Sequence, residues 1–258
     1  MKPHPRNRPN RRNVTKFKSN DADGPIWLWG IHAVMAALAN PDRKIQRICV
    51  TKNAASRLSE ISQLPTAPEE LLPKQIDELL PRDAVHQGMA ILTEPLAEQN
   101  IEDVLGYERV VVFDQLTDPH NIGAIFRSAS AFGFEAAILQ SRNVPPITGV
   151  VAKTAAGAIE SVREVRAVNI ARAIDTLKDA GFHTVGLDGG GSMELREAVS
   201  GAPKLALVIG AEGSGLRPNV ASACDVIASI PISNAMESLN ASNAAAIAFY
   251  ESTRADLG

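Results

Sequence analysis

The sequence predicts an α/β fold, a parallel sheet wrapped by helices and preceded by a smaller α/β unit, on three observations. From Arg109 onward an apolar run, a turn and an amphipathic stretch recur in that order, the pattern of strands joined by helical crossovers. Several runs, such as 110–113 and 205–209, are apolar without alternation, as strands buried on both faces require. Hydrophobic residues make up 45% of the 258 and aromatics only 4%. The core must therefore be built from Ala, Val, Ile and Leu, which suits helices packed on a parallel sheet.

Residues 1–24 read as a disordered basic tail. Positions 1–18 hold Lys2, Arg6, Arg8, Arg11, Arg12, Lys16 and Lys18 with no acid, while the whole chain carries a formal −3, which leaves the remainder at −10. Pro3, Pro5 and Pro9 with several Asn cannot bury enough apolar surface to order the segment. Such an arm either attracts nucleic acid or only solubilises the chain.

Residues 25–96 form the expected small domain. An apolar run from Ile26 leads through Gly30 into Val34, Met35, Ala37 and Leu38 at helical spacing, and Asn40-Pro41 stops it. Ile45, Ile48 and Val50 read as a strand, 54–64 and 73–80 as helices, and 88–92 as a closing strand. The polar stretch 97–107 reads as a linker, and 108–258 as the large domain. Its expected strands are 110–113, 136–139, 162–168, 184–187, 205–209 and 226–230.

Cys49 and Cys224 lack metal-ligand spacing and read as free thiols. No metal is expected. The basic start is followed by no apolar signal core, and no run approaches the ~18 apolar residues of a membrane span. A soluble cytoplasmic protein without membrane contact is the expectation.

Ligands of open α/β sheets bind beyond the carboxyl ends of the strands, and three such places carry chemistry. After the first large-domain strand come Asp114 and a loop to Asn121, where a helix is expected to begin, with Arg127 two turns later. Asn121 suits a helix cap. Arg127 interrupts an apolar helix, so its guanidinium is expected to need an anionic partner. The second place is Gly210-Ala211-Glu212-Gly213-Ser214-Gly215-Leu216. Pro218 breaks a G-x-G-x-x-G count from Gly213, Leu216 breaks a Walker loop from Gly210, and Gly189-Gly190-Gly191 fails because Glu194 fills the sixth position. What remains is a loop that approaches a ligand closely and carries one carboxylate, or else a flexible turn with a solvated Glu212. The third place runs from Ile230-Pro231 to Ser238-Leu239-Asn240 before an Ala-rich helix. Ser238 suits its cap, and the density of Ser and Asn suits a polar ligand at a helix start.

In this order and spacing the three segments resemble the three motifs of the SpoU (TrmH-like) family of SPOUT RNA 2′-O-ribose methyltransferases. Asn121 and Arg127 match motif one, 210–216 motif two, and Ile230-Pro231 with Ser238-Leu239-Asn240 motif three. Gly30-Ile31-His32-Ala33-Val34 and Val85-His86-Gln87-Gly88 look like the substrate-binding domain of the enzymes that methylate a guanosine in the peptidyl-site loop of 23S rRNA. The resemblance implies a deep trefoil knot in the large domain, an exception to the usual absence of knots, and a homodimer acting on 23S rRNA. It implies S-adenosyl-L-methionine as cofactor, held at Gly210, Ile230 and Leu239 with Ser238 and Asn240 nearby. Arg127, Asn121, Glu212, Ser238 and Asn240 become the expected catalytic set, with Glu212 holding Arg127. Departures include Asn234 where relatives often have Gly, and Ala241 and Asn243 for apolar residues. A tRNA ribose methyltransferase, a catalytically silent RNA-binding factor and a dinucleotide dehydrogenase are the competing readings; the failed glycine counts weigh against the last.

Overall fold

The protein is described from a computed structural model covering residues 24–142, 147–233, 236 and 238–254. The basic tail, apart from Gly24, and Asn234 lie outside the described residues.

The N-terminal part runs β1 (Ile26–Trp29), α1 (Ile31–Ala39), β2 (Ile45–Val50), β3 (Pro68–Glu70), α2 (Pro73–Asp77) and β4 (Met89–Thr93). Its four strands form one sheet in the order β1-β4-β2-β3, antiparallel except for the β2–β3 pair. Three expectations change here, and one strand is new. The apolar run from Ile26 divides into a strand and a helix, because Gly30 takes φ +90° between them, a left-handed turn that glycine makes without strain. The helix expected over 54–64 is a 3₁₀ turn at Ala55–Glu60 in which Leu58 is the one buried residue. With one apolar anchor there is no stripe to hold an α-helix. The 73–80 helix shortens to Pro73–Asp77. Strand β3 is exposed throughout and carries no alternation to read.

The second part continues as β5 (Arg109–Phe113), α3 (Pro119–Ala131), β6 (Ala136–Gln140), α4 (Gly149–Ala155), β7 (Arg163–Ala167), α5 (Ile170–Asp179), β8 (His183–Leu187), β9 (Met193–Glu194), α6 (Leu195–Ala198), β10 (Leu205–Ile209), α7 (Pro218–Ala221), β11 (Val226–Ser229) and α8 (Ala241–Thr253). Its seven strands form one sheet in the order β7-β6-β5-β10-β8-β11-β9, parallel at every pairing. The parallel α/β sheet expected from the sequence is thus present. Alternate residues of each strand serve opposite faces. Val111, Phe113, Leu207 and Ile209 join the layer containing α3, α4 and α8, whereas Val110, Val112, Ala206 and Val208 join the layer containing α5 and α7. The chain leaves β5 towards β6 and β7, then returns beyond β10 to place β8. This reversal lies between β5 and β10, where doubly wound sheets leave a crevice.

Helix α3 starts two residues earlier than expected. Asp118 caps it by accepting from the His120 amide at 3.0 Å, with Pro119 in the first turn, where its missing N–H costs nothing.

The two parts are packed together. A Cβ on Gly149 would fall 1.9 Å from the Trp29 ring, so α4 lies directly against β1. At the other end of the contact the Arg43 guanidinium meets Glu160, with Nε–Oε2 at 2.9 Å and Nη2–Oε1 at 2.9 Å, and Nη1 donates to the Glu94 carbonyl at 3.1 Å. Both side chains are buried, at 2% and 8% exposure. Removing one partner strands the other charge, which typically costs about 3 kcal/mol or more. Arg43→Ala and Glu160→Ala should therefore each lower the free energy of unfolding by about that amount in denaturant titrations. Arg47→Ala, which breaks the exposed Arg47–Glu69 pair, should cost under about 1 kcal/mol. Equal losses at both pairs would show that burial of the Arg43 bridge is energetically unimportant.

Candidate active site

At the carboxyl edge of the large sheet, each strand end delivers one part of a site. Asp114 directly follows strand β5 and is fully buried. Its Oδ2 accepts from the Arg217 backbone amide at 2.9 Å and its Oδ1 from Arg217 Nε at 2.8 Å. This pair pins the far end of the 210–217 loop to β5, and the Asp114 amide donates to Ile209 O at 2.8 Å to fix the near end. Gln115 follows at φ +59°, a left-handed conformation that a non-glycine residue keeps only when its surroundings enforce it.

The 210–217 loop doubles back on itself, with Ala211 and Gly215 exchanging backbone hydrogen bonds at 3.2 and 3.0 Å. A Cβ on Gly210 would lie 2.3 Å from the Gly215 carbonyl carbon. Only glycine lets the two strands of the loop approach this closely.

Glu212, carried on that loop, is the meeting point. Its Oε1 accepts from Asn121 Nδ2 at 2.9 Å, from the Ala241 amide at 3.3 Å and, at short range, from Asn240 Nδ2. Asn240 Nδ2 also donates to Asn121 Oδ1 at 3.1 Å, closing a triangle of three side chains. The other end of the Asn240 amide caps α8, its Oδ1 accepting from the Ser242 amide at 2.9 Å. Asn240 rather than Ser238 is therefore the cap. Ser238 is exposed and lines the cleft described below.

The structure brings Asn121, Glu212 and Asn240 together and leaves Arg127 apart. The buried stripe of α3 is Ile122, Ile125, Phe126 and Ala129, and Arg127 falls outside it, exposed to solvent. Its charge needs no buried counter-ion, and among the described residues Glu212 bonds to the two asparagines and Ala241 instead of to Arg127.

Beside the triangle lies an open cleft of about 740 Å³ between the ends of β8, β10 and β11 and the segment before α8. Leu187, Ile209, Ile230 and Leu239 give it apolar walls; Gly210, Gly213 and Gly215 give it a backbone floor; Asp188, Ser229 and Ser238 give it polar edges. Among the described residues no group of three or more His, Cys, Asp and Glu side chains is placed to hold a metal ion. Burial pushes the Cys49 thiol up to about 11 and the Cys224 thiol up to about 12, so neither supplies a thiolate nucleophile near neutral pH.

The small domain reaches towards α4 through the His86-Gln87 segment. Gln87 Oε1 accepts from the Ile31 amide at 3.2 Å and from Lys153 Nζ at 2.6 Å. His86 Nδ1 accepts from the Gly88 amide at 3.0 Å, while Nε2 lies 3.1 Å from Asp77 Oδ1.

Comparison with known proteins places the chain in a family. Residues 108–250 match the SpoU rRNA Methylase family, and residues 27–99 match the RNA 2′-O ribose methyltransferase substrate-binding family. The chain belongs to the SpoU family of RNA methyltransferases. It is 34% identical over 240 residues to the 23S rRNA (guanosine-2′-O-)-methyltransferase RlmB of Vibrio vulnificus, covering 88% of this chain and 96% of that one. An uncharacterized tRNA/rRNA methyltransferase of Synechocystis is 37% identical over 236 residues, which span 87% of this chain but 61% of that longer relative. In fold, the chain is similar to the AdoMet-bound rRNA methyltransferase of Sinorhizobium meliloti, with a TM-score of 0.78 at 24% identity over 91% of this chain and 88% of that one. The three segments singled out in the sequence all lie within the matched range 108–250. The Asp114–Arg217 pair was not legible beforehand; the one signal was an acid directly after an apolar strand.

Because an added Cβ on Gly210 would collide with the Gly215 backbone, Gly210→Ala should destabilise the fold by about 1–3 kcal/mol, the usual cost of overpacking. Gly189, whose added Cβ would meet nothing within 4 Å, should tolerate alanine within about 0.5 kcal/mol. Thermal unfolding of the two variants decides; equal midpoints would refute the close-approach reading.

Proposed function

We propose that this protein transfers a methyl group from S-adenosyl-L-methionine to a ribose 2′-hydroxyl of RNA, and that its substrate is a guanosine in the peptidyl-site loop of 23S rRNA. The observation that carries the reading is the convergence of Asn121, Glu212 and Asn240 at one carboxylate beside a glycine-floored cleft. The cleft fits the cofactor: apolar walls suit an adenine ring, and a floor without side chains lets backbone groups meet it. Gly210, Ile230 and Leu239 would hold it, with Ser238 and Asn240 at the edge. The choice of 23S rRNA rests on the relative from Vibrio vulnificus, which this chain matches along nearly its whole length, small domain included.

Bound there, the cofactor supplies an electrophilic methyl group on a sulfonium sulfur. The chain's own residues act on the RNA. The ribose 2′-oxygen would take that methyl group in exchange for its bond to sulfur, and the hydroxyl proton would have to leave. A guanidinium offers donors and no acceptor, so Arg127 is not the group that takes it. Its exposed side chain would instead clamp the ribose phosphate and stabilise the developing alkoxide, with a neighbouring phosphate or carboxylate receiving the proton. Asn121, fixed by Glu212, positions the ribose, so the bimolecular encounter becomes an aligned displacement. No metal is required.

The same reading includes a deep trefoil knot in the large domain, with α8 packed against α3, α6 and β10. It also includes a homodimer in which α8 offers the exposed Ile247 and Tyr250. Residues 25–96 act as the RNA-binding domain, 97–107 as the linker and 108–258 as the catalytic domain, with the basic tail adding phosphate contacts. No described helix is long and apolar enough to cross a membrane, and cytoplasmic ribosomal RNA is the proposed workplace.

Arg127→Ala should abolish methyl transfer to 23S rRNA while leaving S-adenosylmethionine affinity within a few-fold by calorimetry. Arg127→Lys should also be poor, because lysine lacks the planar fork. Near-normal turnover by either would remove Arg127 from the mechanism. Ribose-methylation mapping of 23S rRNA from a deletion strain tests the substrate: one missing 2′-O-methylguanosine in the peptidyl-site loop is expected, and an unchanged map refutes it.

A further inference from the structure

The glycine triplet after β8 fits no nucleotide motif by spacing, yet the structure sets Gly189 and Gly190, with Asp188, at the wall of the cleft. Strand β8 lies between β10 and β11, and Asp188 directly follows its last residue. The Asp188 amide donates to Ala228 O at 3.0 Å, which locks the loop to β11. Asp188 Oδ1 accepts from the Gly190 amide at 2.9 Å. Oδ2 faces the opposite wall, where a Cβ on Gly215 would fall 2.5 Å from it. Among the described residues no cation pairs with Asp188 and no donor reaches Oδ2. The carboxylate is thus oriented by one oxygen, directed into the cleft by the other, and given room by a glycine.

We infer that Asp188 binds the ribose of the methyl donor, its carboxylate accepting from the 2′- and 3′-hydroxyls; this rests on the proposed function. The order of the strands supports it. The reacting methyl belongs beside Asn121, on the helix that follows β5, whereas Asp188 stands two strands away, roughly 10 Å at the usual spacing. In the donor the ribose is the group between the sulfur and the adenine, and the apolar walls at Ile230 and Leu239 take the adenine. A vicinal diol presents two donors to one carboxylate, and a carboxylate at a strand end is the acceptor that recognises a nucleotide ribose in doubly wound sheets. Ribose recognition would then sort the donor from deoxynucleosides before the methyl is placed.

The test is calorimetry with S-adenosylhomocysteine, which cannot react, and its 2′,3′-dideoxy counterpart. The unaltered protein should bind the diol compound at least about tenfold more tightly, the worth of hydrogen bonds to a charged acceptor. Asp188→Ala should weaken binding of the diol compound by about ten- to a hundred-fold and leave the dideoxy compound within about twofold, so that discrimination disappears. Asp188→Asn, which keeps an oxygen for the Gly190 amide, should fall between them, and guards against a loop that has simply lost its shape. If both variants still discriminate, or lose affinity for the two compounds equally, Asp188 does not bind the ribose. If the unaltered protein binds neither compound, the proposed function fails and takes this assignment with it.

Discussion

One carboxylate oxygen holds the site together. Glu212 Oε1 draws in a side chain 91 residues earlier, Asn121, and one 28 residues later, Asn240. Each partner is itself structural: Asn121 is buried in α3, and Asn240 caps α8. The glycine loop is thereby tied to the start of two helices at once. A glycine-rich segment has the highest conformational entropy to lose on ordering, so it depends on such external ties. The Asp114–Arg217 pair supplies the second of them from the opposite end.

What could be read from the sequence follows from the range over which each signal acts. Strands such as 205–209 were legible because burial on both faces writes itself into consecutive residues. Gly210, Glu212 and Asn240 were legible as members of motifs. The cap of α8 was misplaced by two residues, since Ser238 and Asn240 are equally able acceptors and tertiary contact with Glu212 decides between them. Charge complementarity favours an arginine partner for Glu212, whereas the buried stripe of α3 turns Arg127 outward and Glu212 bonds to the two asparagines. Asp114 and Arg217, 103 residues apart, form a pair that no local pattern announces. In the small domain, β3 escaped notice because an exposed edge strand needs neither alternation nor apolar residues.

The packing of the two parts bears on how a large substrate would be received. Gly149 admits Trp29 at a distance no other residue would allow, and the buried Arg43–Glu160 bridge closes the far end of the same contact. Gln87, in the segment that first suggested a substrate-binding domain, spends its carbonyl on Ile31 and Lys153. Its work is to join α4 to the small domain. Under the proposed function, the small domain and the catalytic edge would present themselves to RNA as one surface with a fixed offset.

The strand order β7-β6-β5-β10-β8-β11-β9 also governs how the molecule comes into being. Strand β5 pairs with β6 soon after both leave the ribosome, but its other neighbour, β10, is synthesised more than ninety residues later. Every strand that borders the cleft belongs to the later half, and Asn240 closes the triangle only when α8 begins to form. A growing chain thus completes its small domain early and carries an unpaired apolar edge at β5 until Leu205–Ile209 has been made. Such sequence-distant pairing is slow and exposes strand edges to aggregation. Expression at low temperature or with added chaperone should therefore govern the yield of soluble protein more than any property of the finished site.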